Sequence, residues 1–247
     1  LRGLAAGDVT GDGVADFVTG YSADNSAIVV RGRGDGTFDT PSLADPAALQ
    51  RYTSGFVTAD FNNDGKSDLF GAYNAATTGL AYTVSLGNGD GTFQRLAGAN
   101  VPSLYPSVVD FNGDGKADIV GLGSSSGMLS LVYAPGNGDG TFGTISVLSA
   151  NFSNRTSLGL SIADTDGDGQ PDVVVFDVGG ISVFRRSAPG VVEPPRFLPF
   201  ASSTSQLPAE VADFNGDGRQ DLALVQFTGF AARVLVFFAE ADGRLAL

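Results

Sequence analysis

The chain contains no histidine, no cysteine and no tryptophan. Without histidine, no side chain has an ordinary pKa near neutrality, which removes the usual general base. Without cysteine there are no disulfides, thiolate nucleophiles or zinc–thiolate centres. Glutamate is scarce as well: of the 27 acidic residues only Glu193, Glu210 and Glu240 are Glu, and the other 24 are Asp. Basic residues number 14, so the formal charge is −13, the wrong sign for a nucleic-acid partner. No apolar run approaches the roughly 20 residues of a membrane helix, so membrane insertion is not expected. The longest apolar runs, around Val173–Phe176 and Val234–Ala239, have strand length. The chain opens on Leu1 with no charged-then-apolar leader, which leaves a removed leader and a longer parent protein both open.

What is present points to a turn-rich β protein. There are 35 glycines, and the hydrophobic share of 43% against 17% charged residues is that of a folded chain. Self-similarity decides the architecture. The pattern D-x-[N/D/T]-x-D-G-x-x-D begins at Asp8, Asp60, Asp110, Asp164 and Asp213, at intervals of 52, 50, 54 and 49 residues. A second element, Gly-x-Gly-Asp-Gly-Thr-Phe, keeps step at Gly32–Phe38, Gly87–Phe93 and Gly136–Phe142. It is reduced to Pro189-Gly190 in the fourth unit and to Ala241–Leu245 in the fifth. It reads as a Gly-rich hairpin turn.

Short β-branched or aromatic runs separate these loops, among them Phe56–Ala59, Val173–Phe176 and Val234–Phe238. No segment carries a sustained 3.6-residue apolar period, so no substantial helix is predicted. About 50 residues holding four short antiparallel strands describes one propeller blade. The expected fold is therefore all-β, a β-propeller of five four-stranded antiparallel blades, as a closed ring or as part of a larger propeller. The repeats fall near 1–50, 51–101, 102–153, 154–205 and 206–247 within a single domain.

The acidic loops suit a hard cation. In the second, Asp60, Asn62 and Asp64 at positions 1, 3 and 5 converge, Gly65 permits the sharp turn, Lys66 offers a backbone carbonyl and Asp68 completes the shell. The corresponding sets are Asp8, Thr10, Asp12, Val14 and Asp16; Asp110, Asn112, Asp114, Lys116 and Asp118; Asp164, Asp166, Asp168, Gln170 and Asp172; and Asp213, Asn215, Asp217, Arg219 and Asp221. Six or so oxygens in flexible geometry favour Ca²⁺ over Mg²⁺. Position 12, acidic in EF-hands, holds Thr19, Gly71, Gly121, Val175 and Leu224, so these are not EF-hand loops. The loops gather 16 of the 27 acids, and five Ca²⁺ would move −13 to −3. Metal-free Asp/Asn turns are the competing reading, opposed by the mutual repulsion of those carboxylates. The extra carboxylate of Asp166 predicts the tightest site in the fourth loop, and Thr10 the weakest in the first.

The D-x-N-x-D-G-x-x-D loops with trailing strands and GNGDGTF turns resemble the FG-GAP/VCBS repeats of integrin α-subunit-like β-propellers over essentially the whole chain. The resemblance implies a secreted or cell-surface module with about five structural Ca²⁺, used for adhesion, for carbohydrate binding or as a scaffold. It places ligands on the face away from the calcium loops or between blades. Tyr21, Tyr73, Tyr52 and Tyr105 are the candidate stacking residues there, with rim packing as their plainer role. Arg33-Gly34-Asp35 spells an adhesion tripeptide but is a variant of the GNGDG turn. Asn151 and Asn154 fit the glycosylation pattern. The function expected is non-catalytic binding of a glycan or an extracellular protein. The alternatives are a structural spacer and a carbohydrate-active enzyme; for the latter, Asp24, Asp39, Asp45 and Asp177 are acids outside the loops with no evident pairing.

Overall fold

The computed structural model describes residues 2–20, 27–44, 52–75, 79–96, 104–125, 128–153, 157–177, 179–199, 209–228 and 231–247. Every regular element among them is a strand. The first sheet comprises β1 (Arg2–Gly7), β2 (Asp16–Gly20), β3 (Ala27–Val30) and β4 (Ser42–Leu43). The second comprises β5 (Tyr52–Ala59), β6 (Asp68–Ala75), β7 (Gly79–Gly87) and β8 (Phe93–Arg95). β9 (Leu104–Val109), β10 (Asp118–Ser125), β11 (Met128–Ala134) and β12 (Ser146–Ser153) make the third. The fourth holds β13 (Ser157–Ala163), β14 (Asp172–Asp177), β15 (Gly180–Phe184) and, after a two-stranded ribbon of β16 (Arg186–Ala188) and β17 (Val191–Val192), β18 (Arg196–Pro199). The fifth is β19 (Glu210–Ala212), β20 (Asp221–Thr228), β21 (Ala231–Ala239) and β22 (Leu245–Ala246).

All five main sheets are four-stranded with strands in chain order, the up-and-down meander of a propeller blade. The acidic loop always joins the first strand to the second, and the Gly-rich turn joins the third to the fourth. Antiparallel alternation therefore brings both to the same end of each sheet.

The chain forms two compact units: 1–103 with 114–119 and 134–145, and 104–113 with 120–133 and 146–247. In the first unit, Ala5, Val18, Ala27 and Val29 of the first sheet, with Val9 of its acidic loop, bury against Phe56, Leu69 and Phe93 of the second. Phe61, Phe70 and Phe142 add an aromatic cluster with centroids about 6 Å apart. In the second unit β14 is apolar on both faces. Val173 and Val175 join Phe111, Val120 and Tyr133, while Val174 and Phe176 join Leu222 and Phe237. A strand buried on both faces reads as a continuous apolar run, as the Val173–Phe176 segment does.

Position 4 of each acidic loop requires a left-handed backbone. Glycine fills it in four loops, with φ between 70 and 83°, and Asn63 fills it in the second at φ 58°. Asn is the residue that tolerates this region best after glycine.

Candidate functional site

Each acidic loop is organised around its own carboxylates. The Asp8 carboxylate accepts from the backbone N–H of Gly11 (2.7 Å), Asp12 (3.2 Å) and Gly13 (2.8 Å). Asp164 repeats the arrangement with Gly167, Asp168 and Gly169, and Asp213 with Gly216, Asp217 and Gly218. The N–H of Gly218 leads in holding the Asp213 carboxyl below the ordinary carboxylate range. The position 5 carboxylates Asp12, Asp64, Asp114, Asp168 and Asp217 each accept from the N–H of residue 7 (Val14, Lys66, Lys116, Gln170 and Arg219). Asn62, Asp166 and Asn215 at position 3 accept from residue 5. Each loop curls because its side-chain oxygens substitute for the backbone carbonyls a turn lacks.

The ninth-position aspartates have a second task that spacing does not show. Asp16, Asp68, Asp118, Asp172 and Asp221 are all buried. Asp68 accepts from Phe61 N at one oxygen and Gly87 N at the other, both 2.8 Å, stapling its loop to the end of the third strand. Asp16 does so between Val9 and Gly32, Asp172 between Thr165 and Arg186, and Asp221 between Phe214 and Ala239. Asp118 takes the Gly136 N–H in the same way. Burial pushes the Asp68 and Asp172 carboxyls above their ordinary value, against the pull of these N–H bonds. Gly32, Gly87 and Gly136 are needed at this staple: a Cβ there would lie 2.2, 2.2 and 2.3 Å from the carbonyls of Ala15, Ser67 and Ala117.

The Gly-rich turn is more than a hairpin turn. Its last glycine donates to the carbonyl of position 2 in the preceding repeat's acidic loop: Gly91 to Val9 (3.0 Å), Gly140 to Phe61 (2.9 Å) and Gly190 to Phe111 (3.4 Å). Between the fourth and fifth repeats Gln220 takes this part, exchanging bonds with the Asp164 backbone. Within the turns, Thr37, Thr92 and Thr141 donate hydroxyl and N–H to Asp35, Asp90 and Asp139 and hold those carboxyls low. In the Arg33-Gly34-Asp35 turn, Asp39 takes the arginine and Thr37 takes the aspartate.

Two observations bear on a cation. Carboxylate oxygens of Asp164, Asp166 and Asp172 lie within 4.8 Å of one another. In the first loop the Thr10 hydroxyl at position 3 is buried and has no hydrogen-bond partner. Crowded anionic oxygens and an orphaned hydroxyl, each where a ligand is expected, fit a hard oxygen-seeking ion. The fourth loop has a feature the sequence did not signal: the Arg185 guanidinium sits on the Asp166 carboxylate and approaches Glu193 at 3.9 Å. Its neighbour Arg186 donates to Gln170. Arg185 lies 19 residues from Asp166, across a hairpin, where no local pattern would find it. The additional charge credited to Asp166 is thus already matched by a protein cation.

Of the tyrosines, Tyr52 and Tyr73 are register partners in β5 and β6, at the end of the second sheet away from the acidic loop. Tyr105 is half-buried and packs on the core around Phe111 and Tyr133, with φ at 52°. Tyr21, Asp24, Asp45 and Asn154 lie outside the described residues. Asp177 is buried and accepts from the Gly179 N–H.

A model of the FG-GAP-like repeat matches four times, over residues 8–71, 60–121, 110–175 and 164–224. The chain belongs to the FG-GAP-like repeat family. Each match starts at the first aspartate of one acidic loop and ends just past the ninth of the next. The FG-GAP unit therefore spans the blade together with the loop that follows it. No curated protein matches the chain. Among solved structures, the GH43_1 enzyme from Xanthomonas citri complexed with xylose superposes with a TM-score of 0.59 at 12% identity, over 98% of this chain and 88% of that one. The Photorhabdus luminescens Tc holotoxin pore gives 0.54 at 17%, over 100% of this chain but only 12% of the other. An Agrocybe aegerita lectin that recognises non-reducing terminal N-acetylglucosamine gives 0.49 at 20%, over 98% and 78%. The shared property is the fold, and the five FG-GAP sheets are propeller blades.

Proposed function

We propose that this FG-GAP chain is a calcium-stabilised, non-catalytic binding module of a secreted or surface protein, taking a glycan or a protein at the end of its blades away from the acidic loops. The observation that supports the metal is the fivefold recurrence of one acidic loop at the same end of each sheet, with the orphaned Thr10 hydroxyl in the first. The residues that would hold the ions are those at positions 1, 3, 5 and 9, with the position 7 carbonyl. The ion's contribution there is to neutralise carboxylates that otherwise repel, so binding to the folded state alone raises stability by mass action. Loops committed to internal bonds leave ligand contact to the opposite end, where Tyr52 and Tyr73 pair. Carbohydrate is the ligand class we favour, the xylose-bound GH43_1 enzyme being a propeller precedent of the same fold.

The test is thermal unfolding in millimolar calcium, and in excess EGTA with magnesium restored. A large calcium-specific fall in Tm is expected; equal curves would remove the metal and the reading built on it. A glycan array in calcium then separates a binding module from a spacer, which binds nothing.

A further inference from the structure

Asparagine precedes glycine at Asn88-Gly89, Asn112-Gly113, Asn137-Gly138 and Asn215-Gly216. This pair carries a reaction of its own. The glycine backbone nitrogen attacks the asparagine side-chain carbonyl carbon, the bond to the carboxamide nitrogen breaks, and ammonia leaves with the proton the backbone gave up. Water then opens the five-membered imide at one carbonyl or the other, leaving aspartate or isoaspartate. Glycine favours the attack because no side chain shields its nitrogen. The nucleophile is a backbone N–H, so an N–H held by an acceptor is withheld from the reaction.

The four pairs differ at that atom. Gly113 N–H donates to Asp110 at 2.7 Å, and Gly216 N–H to Asp213 at 2.6 Å. Both pairs lie in acidic loops, where the first aspartate holds the nucleophile. Asn215 is further tied to Asp217 through its amide oxygen and its amide nitrogen. Gly89 and Gly138 lie instead in the Gly-rich turns of the second and third repeats. Among the described residues neither of these N–H groups has an acceptor. Asn88 and Asn137 are exposed, and each carboxamide is tethered by its nitrogen alone, to Thr92 and Thr141 at 2.9 Å.

A lysine stem packs on each of these glycines. A Cβ on Gly89 would meet Lys66 Cε at 3.5 Å, and one on Gly138 would meet Lys116 Cε at 3.4 Å. The ammonium groups, one bond further along, therefore sit beside the reacting peptides. A cation there favours loss of the amide proton, as a nearby positive charge favours any anion. The first repeat holds Arg33 where these turns have asparagine and Val14 where they have lysine.

We propose that Asn88 and Asn137 are deamidation sites of the folded chain, and that Asp110 and Asp213 keep Asn112 and Asn215 as amides. The products act on the joint between repeats. Isoaspartate adds a backbone atom just before Gly89 or Gly138, and so just ahead of Gly91 and Gly140, whose N–H groups reach Val9 and Phe61. Neither a bound ion nor a ligand enters the reaction.

Peptide mapping by mass spectrometry tests this on the unaltered chain, incubated at mildly alkaline pH until a parallel sample in urea has converted all four asparagines. In the folded chain Asn88 and Asn137 are expected to convert, with isoaspartate in their peptides, while Asn112 and Asn215 stay amides. Conversion through global unfolding would take all four together. Asn88→Arg and Asn137→Arg, copying the first repeat, are each expected to abolish conversion in their own turn and leave it in the other. Folded Asn88 and Asn137 that stay amides throughout overturn the proposal. So does conversion of folded Asn112 or Asn215 as fast as Asn88. Protection of Asn112 and Asn215 that holds in calcium and vanishes in the folded chain in EGTA overturns the part given to Asp110 and Asp213.

Discussion

Asp68→Ala separates the two tasks of the ninth-position carboxylate. The substitution strips partners from Phe61 N and Gly87 N, each held at 2.8 Å in a buried setting. An orphaned buried N–H costs about 1–3 kcal/mol, giving about 2–6 kcal/mol for the pair. Part returns, because burial pushes the Asp68 carboxyl up and the charges of Asp60 and Asp64 add to that. The net loss expected is about 2–4 kcal/mol. For a chain of this length, about 2–4 °C per kcal/mol makes this a fall in Tm of about 5–15 °C. The decisive condition is EGTA, where no ion can be lost. Urea and thermal unfolding of variant and parent in EGTA should show most of the deficit, with more in calcium if Asp68 also ligates. A deficit present in calcium and absent in EGTA would refute the staple and leave Asp68 a ligand alone.

Arg185→Leu uncovers Asp166, and calcium affinity at the fourth loop should rise by on the order of 1 kcal/mol, or about fivefold, as read by calorimetry. An unchanged or weaker site would mean that the guanidinium does not compete with the ion. At position 4 of the second loop, Asn63→Gly should leave stability unchanged or raise it slightly, while Asn63→Val costs about 1–3 kcal/mol for a β-branched residue at φ 58°. Equal melting of the two variants would count against a left-handed requirement there.

The blade was legible because its signals are local. The loop spacing, the glycine turns and the β-branched runs sit inside one repeat, and Val173–Phe176 and Val234–Phe238 fall within β14 and β21. The fourth strand was faint because it is two residues long in β4 and β22. The joint between repeats was hidden for a different reason: glycines that make a hairpin turn and glycines that let a turn approach a neighbour are the same residues. Where that turn is lost, in the fourth repeat, the β16–β17 ribbon replaces it and still delivers Gly190 to Phe111. The arginine on Asp166 was invisible because its partner is reached through the fold and not along the chain.

The glycine-to-loop bond makes the second, third and fourth repeats links that hook the repeat before them, and Gln220 does the same for the fifth. A gene that duplicates or deletes one whole repeat leaves each remaining hook facing an eye, so the number of links can drift while the joints stay intact. Each such bond couples a repeat to its neighbour, so stability grows link by link. In three joints the acidic loop forms the eye and the next repeat's turn supplies the hook. An event at one loop is therefore felt first by the repeat that follows it, which gives these joints a direction that the repetition of the blades does not suggest.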